Sequence, residues 1–331
     1  MKSLVTGGAG FIGSHLCEEL IARGEEVFVV DDLSTGSLDN VRHLRNNKDF
    51  HLVVGSVLDD TVLTELTGEV DRIFHLAAAV GVKLIMDRPV DTIETNVLGT
   101  EKVLSLASKH GKKVLVASTS EVYGKHRDHT LSEIDNMVLG PTKKRRWAYA
   151  CTKALDEFLA FAYHEEKGLP VVVVRFFNTI GPRQSGQYGM VVPKFVKSAL
   201  LGDPITVFGD GTQSRSFTYV KDAVRAVLML MEAPAAEGDV FNVGDGREIT
   251  ILELARRVRS LTSSQSEIVF VPYDRAYGKG FEDMERRAPD ISKIRKLVGY
   301  GPSVGLDEVL GIIIRHMRDA GIGETSAHRA L

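Results

Sequence analysis

An excess of charge of either sign is missing from this chain: 41 Lys and Arg stand against 44 Asp and Glu, a formal net charge of -3. Nothing here resembles the electrostatic footprint of a nucleic-acid or anionic-membrane binder, so any anionic ligand must be met by a local basic cluster. Apolar runs of the ~20 residues needed to cross a bilayer are also missing. Cysteine is scarce: Cys17 and Cys151 are the only two, too few and too isolated for a disulfide framework or a zinc site, as suits a reducing cytoplasm. The opening Met1-Lys2-Ser3-Leu4-Val5-Thr6 runs straight into a glycine turn, leaving no room for a signal peptide. Repeats and low-complexity tracts are absent too. These features together predict a cytoplasmic protein with no metal, no membrane and no nucleic acid among its partners.

What is present is enough for a sizeable core: 331 residues, 44% hydrophobic and 26% charged. Short β-branched runs alternate with longer amphipathic stretches through the first half. Leu4-Val5, Val27 to Val30, His51 to Val54, Ile73 to Leu76, Val114 to Val116 and Val171 to Val174 read as strands apolar on both faces, the mark of a covered parallel sheet. Helices are expected from Phe11 to Arg23-Gly24, from Pro89 to His110-Gly111, and from Trp147 to Lys167. The alternation predicts an α/β, Rossmann-type, doubly wound parallel sheet. After Asn178 glycines and prolines punctuate short elements, which predicts a smaller C-terminal α/β lobe over residues 178–331 packed against the strand ends. The segment from Asp239 to Gly244 is expected to return to the large sheet, so part of 217–245 joins residues 1–177. The tail after Gly321 reads as loosely ordered.

Thr6-Gly7-Gly8-Ala9-Gly10-Phe11-Ile12-Gly13 follows the first strand and opens the first helix. Glycines at 7, 10 and 13 permit a tight turn, close approach of a pyrophosphate and close helix–sheet contact, with the phosphates at the positive end of the helix dipole. The second strand ends at Asp31-Asp32. Asp31 is placed to accept from the adenosine ribose hydroxyls and to repel a 2′-phosphate, favouring NAD over NADP. Asp32 reads as a capping or solvated residue.

Tyr149-Ala150-Cys151-Thr152-Lys153 sets a tyrosine and a lysine four apart on one helix face. A phenol of pKa ~10 is a poor base at neutral pH. A nearby ammonium and a positive nicotinamide both favour the phenolate. Thr119, at the end of the fifth strand in Ser118-Thr119-Ser120, offers a hydroxyl to the same cleft.

The chain resembles the extended short-chain dehydrogenase/reductases, the NAD-dependent epimerase/dehydratase family, over nearly its whole length. TGGAGFIG, HLAA, STSEVYG, YACTK, RFFNTIGPR, QSRSFTYVKD and FNVG carry the resemblance. It implies that Tyr149, Lys153 and Thr119 are catalytic, and that Gly7, Gly10, Phe11, Ile12, Gly13, Asp31, Ala77, Ala78 and Asn96 serve the cofactor. It also implies that Asn178 meets the sugar or its diphosphate, Phe208 stacks near uracil and Arg215 binds the diphosphate. Where many relatives carry Gly-Asp for the adenine, this chain has Gly55-Ser56-Val57, and Ser56 is given no such role. A homodimer through the helices near 90–110 and 147–167 is implied as well.

All branches of the family oxidise carbon 4 of a nucleotide sugar to a ketone and later return the hydride, with NAD resident. Thr119-Ser120-Glu121 resembles the Thr-Ser-Glu of UDP-glucuronate decarboxylases, where sugar dehydratases have Thr-Asp-Glu. Arg146-Trp147 before Tyr149, and the stretch Tyr277 to Arg287, resemble the aminoarabinose-pathway decarboxylase and plant UDP-apiose/xylose synthase. Oxidation at carbon 4 of a glucuronate gives a β-keto acid that loses carbon dioxide. Glu121 and Arg287 would then govern proton return and hold the anion. Glu121 and Arg286-Arg287 can equally be read as solvated surface charges. Ala79-Val80-Gly81-Val82-Lys83 is nearer to epimerases. The expected activity is UDP-glucuronate decarboxylation, with UDP-glucose or UDP-glucuronate 4-epimerisation as the alternative and 4,6-dehydration behind it. A binding protein that kept the fold and lost the activity is disfavoured by the presence of both Tyr149 and Lys153.

Overall fold

The structure, a computed structural model, describes residues 1–81, 87–126, 129–186, 190–277 and 284–323. Val82-Lys83, Gly189, residues 278–283 of the Tyr277–Arg287 stretch, and the tail from 324 lie outside the described residues.

Seven parallel strands form the central sheet: β1 (Lys2–Thr6), β2 (Glu26–Asp31), β3 (Phe50–Val54), β4 (Arg72–His75), β5 (Lys113–Thr119), β6 (Val171–Phe176) and β7 (Asp239–Val243). Their spatial order is β7-β6-β5-β4-β1-β2-β3. The six runs read as strands from sequence are all strands, because successive residues face opposite layers and both layers are apolar. Val5, Val27, Val29, Phe74, Leu115 and Val172 enter one core, against α1 (Phe11–Ala22) and α6 (Val220–Glu232). Leu4, Phe28, Val30, Ile73, Val114 and Val171 enter the other. That second layer holds α2 (Asp60–Glu69), α3 (Pro89–His110) and α4 (Ala148–Lys167). Trp147, expected to open α4, sits in a short 3-10 turn before it, Arg145–Trp147.

Chain direction across the sheet reverses between β1 and its two neighbours, β2 and β4. A crevice opens at the carboxyl ends there, the place where open α/β sheets hold ligands. The chain leaves the sheet after β6 and comes back through α6 into β7, which pairs in parallel with β6 from Asp239 opposite Val172 to Val243 opposite Phe176. A separate core joins α5 (Val191–Leu201), α7 (Ile251–Leu261) and α8 (Leu306–Asp319) through Phe195, Val196, Leu254, Val258, Leu310 and Ile313. Strands Ile205–Phe208, Ser214–Ser216 and Arg286–Arg287 lie beside it and supply the far wall of the crevice.

Candidate active site

One continuous cleft of about 1480 Å³ runs from the glycine turn to the core of α5, α7 and α8. At one end the backbone turns at Gly7, with φ +73°, and its N–H donates to Val30 O at 2.8 Å. A Cβ on Gly7 would stand 2.9 Å from Ala77 Cα, and one on Gly13 only 2.2 Å from the Gly7 carbonyl oxygen. The spacing read from sequence thus reflects two close backbone approaches. The cap of α1 is Gly10, no side chain caps it, and its first turn carries no acidic residue. Its N–H groups and dipole are left for an anion.

Asp31 closes β2 with its carboxylate held from both sides, Ala9 N–H at 2.9 Å and Leu33 N–H at 2.8 Å. Burial raises its pKa and these backbone donors oppose the rise. Asp32 accepts from Ser34 N–H at 2.9 Å and so shapes the next turn. Gly55 and Val57 line this end, while Ser56 accepts from Leu58 N–H at 3.1 Å within its own loop. A turn that accepts an anion followed by an acid on the cleft wall fits an adenine dinucleotide. Ala77 and Ala78 line the cleft beside it, as do Phe11 and Ile12.

Asn96 does not reach the cleft. It is buried behind it, accepting from Ala79 N–H at 2.8 Å and donating to Thr152 Oγ1 at 3.2 Å. Its place is to hold the Ala77–Ala79 wall against α4.

Thr119, Ser120, Glu121 and Tyr149 line the middle of the cleft. Thr119 ends β5 and caps the following 3-10 turn, Ser120–Tyr123, by accepting from Glu121 N–H at 3.2 Å. Its hydroxyl hydrogen is left for the cleft. Lys153 departs from expectation. Its ammonium is buried and donates to Asp156 Oδ2 at 2.6 Å. The phenol of Tyr149 is accordingly pushed up, first by burial, then by the charges of Glu121 and Asp156, with Arg287 and Arg146 pulling the other way. Among the chain's own groups the balance favours the phenol.

Glu121 is not a solvated loop acid. Arg146 grips one carboxylate oxygen and Arg287 the other, the latter at 3.0 Å. Burial would raise the Glu121 pKa, but the two guanidiniums outweigh it and hold it at about 2. Glu121 is held as a carboxylate that anchors two arginines. Arg287 also donates to Asn178 Oδ1, and its Nε is buried with no partner. Asn178 itself has φ +28°, an uncommon conformation for a residue with a side chain, and donates to Ser216 O at 2.8 Å. Arg286, by contrast, turns outward to Glu248.

Phe208 and Arg215 line the far end. Two residues there escaped the sequence reading. Lys194 places its ammonium 4.7 Å from the Phe208 ring centroid, and Tyr273 accepts through its hydroxyl from Gln213 Nε2 at 3.0 Å. Lys194 had a readable signal: a cation in the first turn of a helix opposes the dipole and suggests a ligand. Arg146, quoted only as part of a resemblance, is a wall of the site.

Comparison with known proteins gives four matches that bear on this geometry. Residues 3–244 match the model described as the NAD dependent epimerase/dehydratase family. The chain is 43% identical, over 96% of its length and 98% of the relative, to a UDP-N-acetyl-alpha-D-glucosaminuronate decarboxylase of Bacillus cytotoxicus. It is 39% identical to UDP-glucuronic acid decarboxylase 4 of Arabidopsis thaliana, over 98% of this chain and 70% of that one. Among solved structures, UDP-glucuronic acid 4-epimerase of Bacillus cereus, in complex with UDP-glucuronic acid and NAD, superimposes with a TM-score of 0.86 at 30% identity, covering 97% of this chain and all (100%) of that one.

Proposed function

The chain belongs to the NAD dependent epimerase/dehydratase family, and we propose that within it the protein is a decarboxylase of UDP-linked glucuronates that keeps its NAD. The observation that carries this is the Glu121–Arg146–Arg287 cluster, two guanidiniums on one carboxylate, which leaves the cleft wall with a net positive charge beside Tyr149. A sugar acid needs such a charge and a neutral hexose does not. The decarboxylases of both curated relatives point the same way.

Gly7, Gly10 and Gly13 would take the pyrophosphate, Asp31 the adenosine ribose, and Ala77 and Ala78 the face of the cofactor. NAD⁺ supplies a reversible hydride acceptor at carbon 4 of the sugar. Tyr149 takes the proton from the carbon-4 hydroxyl, and Thr119 and Ser120 orient that hydroxyl. Oxidation leaves a ketone β to the carboxylate, and the carbon–carbon bond to the carboxylate then breaks, its electron pair passing to the ketone oxygen as an enolate. Tyr149, now protonated, is the hydrogen-bond donor at that oxygen; carbon 5 then takes a proton from water, and carbon 4 recovers its hydride as Tyr149 returns the proton to the reforming hydroxyl. Arg287, oriented by Glu121 and Asn178, holds the sugar acid, while Phe208, Lys194 and Arg215 hold the base and the diphosphate. The cofactor lobe comprises residues 1–177 with part of 217–245, and the rest of 178–331 makes the nucleotide-sugar lobe.

The proposal includes a cytoplasmic homodimer. Val90, Ile93 and Leu98 on α3 and Leu155 and Phe158 on α4 are exposed, forming an apolar face for a second copy. Among the described residues no helix is long and apolar enough to cross a membrane, and both cysteines are free thiols.

The test is incubation with UDP-glucuronate, and separately with its 2-acetamido counterpart, followed by mass spectrometry of the nucleotide sugars. Loss of one carbon dioxide from either supports the reading and fixes the carbon-2 substituent. A new species of unchanged mass establishes 4-epimerisation in its place.

A further inference from the structure

Behind the cleft, five buried polar side chains from four elements form two adjoining groups: Lys153 with Asp156 on α4, and Thr100 on α3 with His75 on β4 and Thr6 on β1. Ala77 N–H donates to Thr6 Oγ1 at 3.1 Å. Thr6 Oγ1 lies 2.8 Å from His75 Nδ1, and His75 Nε2 lies 3.1 Å from Thr100 Oγ1. Asp156 accepts from Lys153 Nζ at 2.6 Å through Oδ2 while its Oδ1 is buried with no hydrogen-bond partner among the described residues, and burial raises its pKa against the pull of Lys153. Burial, followed by the charge of Lys153, lowers the His75 pKa to about 3, so its ring is neutral and donates once. Thr6 can donate to Nδ1 while Nε2–H donates to Thr100, and on α4 Lys153 lies one helical turn from Tyr149 on the same face as Asp156.

A buried ion pair is a poor source of stability, since desolvation offsets most of the attraction. Lys153 could be neutralised as well by a phenolate at Tyr149 as by Asp156. We propose that Asp156 is a positioning residue that competes with Tyr149 for the Lys153 ammonium, and so sets how readily Tyr149 acts as the base. This rests on the roles given above to Tyr149 and Lys153. The charged groups facing Tyr149 are Glu121 and Arg146 from the segment between β5 and α4, Arg287 from the Arg286–Arg287 strand, and Asp156 on its own helix. Those facing Asp156 are Lys153 and Glu157. With Asp156 neutral, the phenolate is the remaining counter-charge for Lys153 and forms at lower pH.

The experiment is kcat against pH for the NAD-containing enzyme, its Asp156→Asn, Asp156→Ala and Asp156→Glu variants, and Tyr149→Phe. The acidic limb is expected to move down by about one pH unit in Asp156→Asn and to return in Asp156→Glu. KM for the nucleotide sugar is expected to stay near the wild-type value, because Asp156 is not on the cleft wall. Asp156→Ala, with no amide to satisfy, answers the same question where the Asn variant does not fold. A limb that stays at its wild-type position while kcat or Tm merely drops overturns the proposal and leaves Asp156 a packing residue. Turnover retained in Tyr149→Phe overturns the site reading instead, so the two failures are distinct.

Discussion

Glu121 shows how far one residue's chemistry depends on what it meets. A carboxylate with two arginines is locked as an anion, and its stability contribution has a definite sign with pH. Its folded pKa of about 2 lies below the unfolded value of roughly 4.3, so the contribution is complete above the unfolded value and is lost as pH falls toward 2. Glu121→Gln leaves Arg146 and Arg287 without their counter-charge and is expected to cost about 3 kcal/mol at neutral pH. Thermal melts at several pH values check this: the Tm gap to wild type narrows on acidification and closes near pH 2. A gap independent of pH would show that the charge contributes nothing. The same variant is expected to lower kcat about a hundredfold by freeing Arg287, measured as carbon dioxide release.

At the scale of elements, the turn from β1 into α1 is the most constrained piece of backbone. Gly13 lies where the helix crosses the turn, and a Cβ would meet the Gly7 oxygen at 2.2 Å and Gly8 Cα at 2.8 Å. Both are main chain, which yields only by moving the helix. Gly13→Ala is expected to cost about 3 kcal/mol and to empty the protein of NAD, read as a lowered Tm and as loss of the nucleotide released on denaturing the purified protein. Full NAD content with an unchanged Tm would mean that the turn holds no pyrophosphate. A neighbouring helix illustrates the converse: α4 brings Tyr149 to the cleft and Lys153 to Asp156 with one turn of backbone, so one face serves catalysis and core together.

Over the whole molecule, the exposed apolar residues of α3 and α4 are the feature a monomer has least use for. Phe158→Glu is expected to convert a dimer into a monomer in light scattering at micromolar concentration, with the cleft unaltered. A wild-type protein already monomeric there would leave the patch unexplained by self-association. The parallel sheet and its covering helices were legible in the sequence because periods of 2 and 3.6 are local, and each strand carries its own apolar faces. The glycine turn and the Tyr149–Lys153 spacing were legible for the same reason, being set within a few residues. What the sequence left open is which partner each polar side chain meets on folding. Arg287 meets Glu121 across 166 residues, and no spacing announces that a surface-type acid is locked between two arginines. Asn96, expected to serve the cofactor side, has its amide facing Ala79 and Thr152, which no spacing in the sequence announces. Lys153 was expected to serve the phenol, but its three-residue neighbour Asp156 holds it, and only burial makes that pair exclusive of water. Local pattern thus specifies which elements form and which chemical groups they carry. The partner of each group, and therefore its charge, is decided when the folded chain removes water and brings distant segments within hydrogen-bond reach.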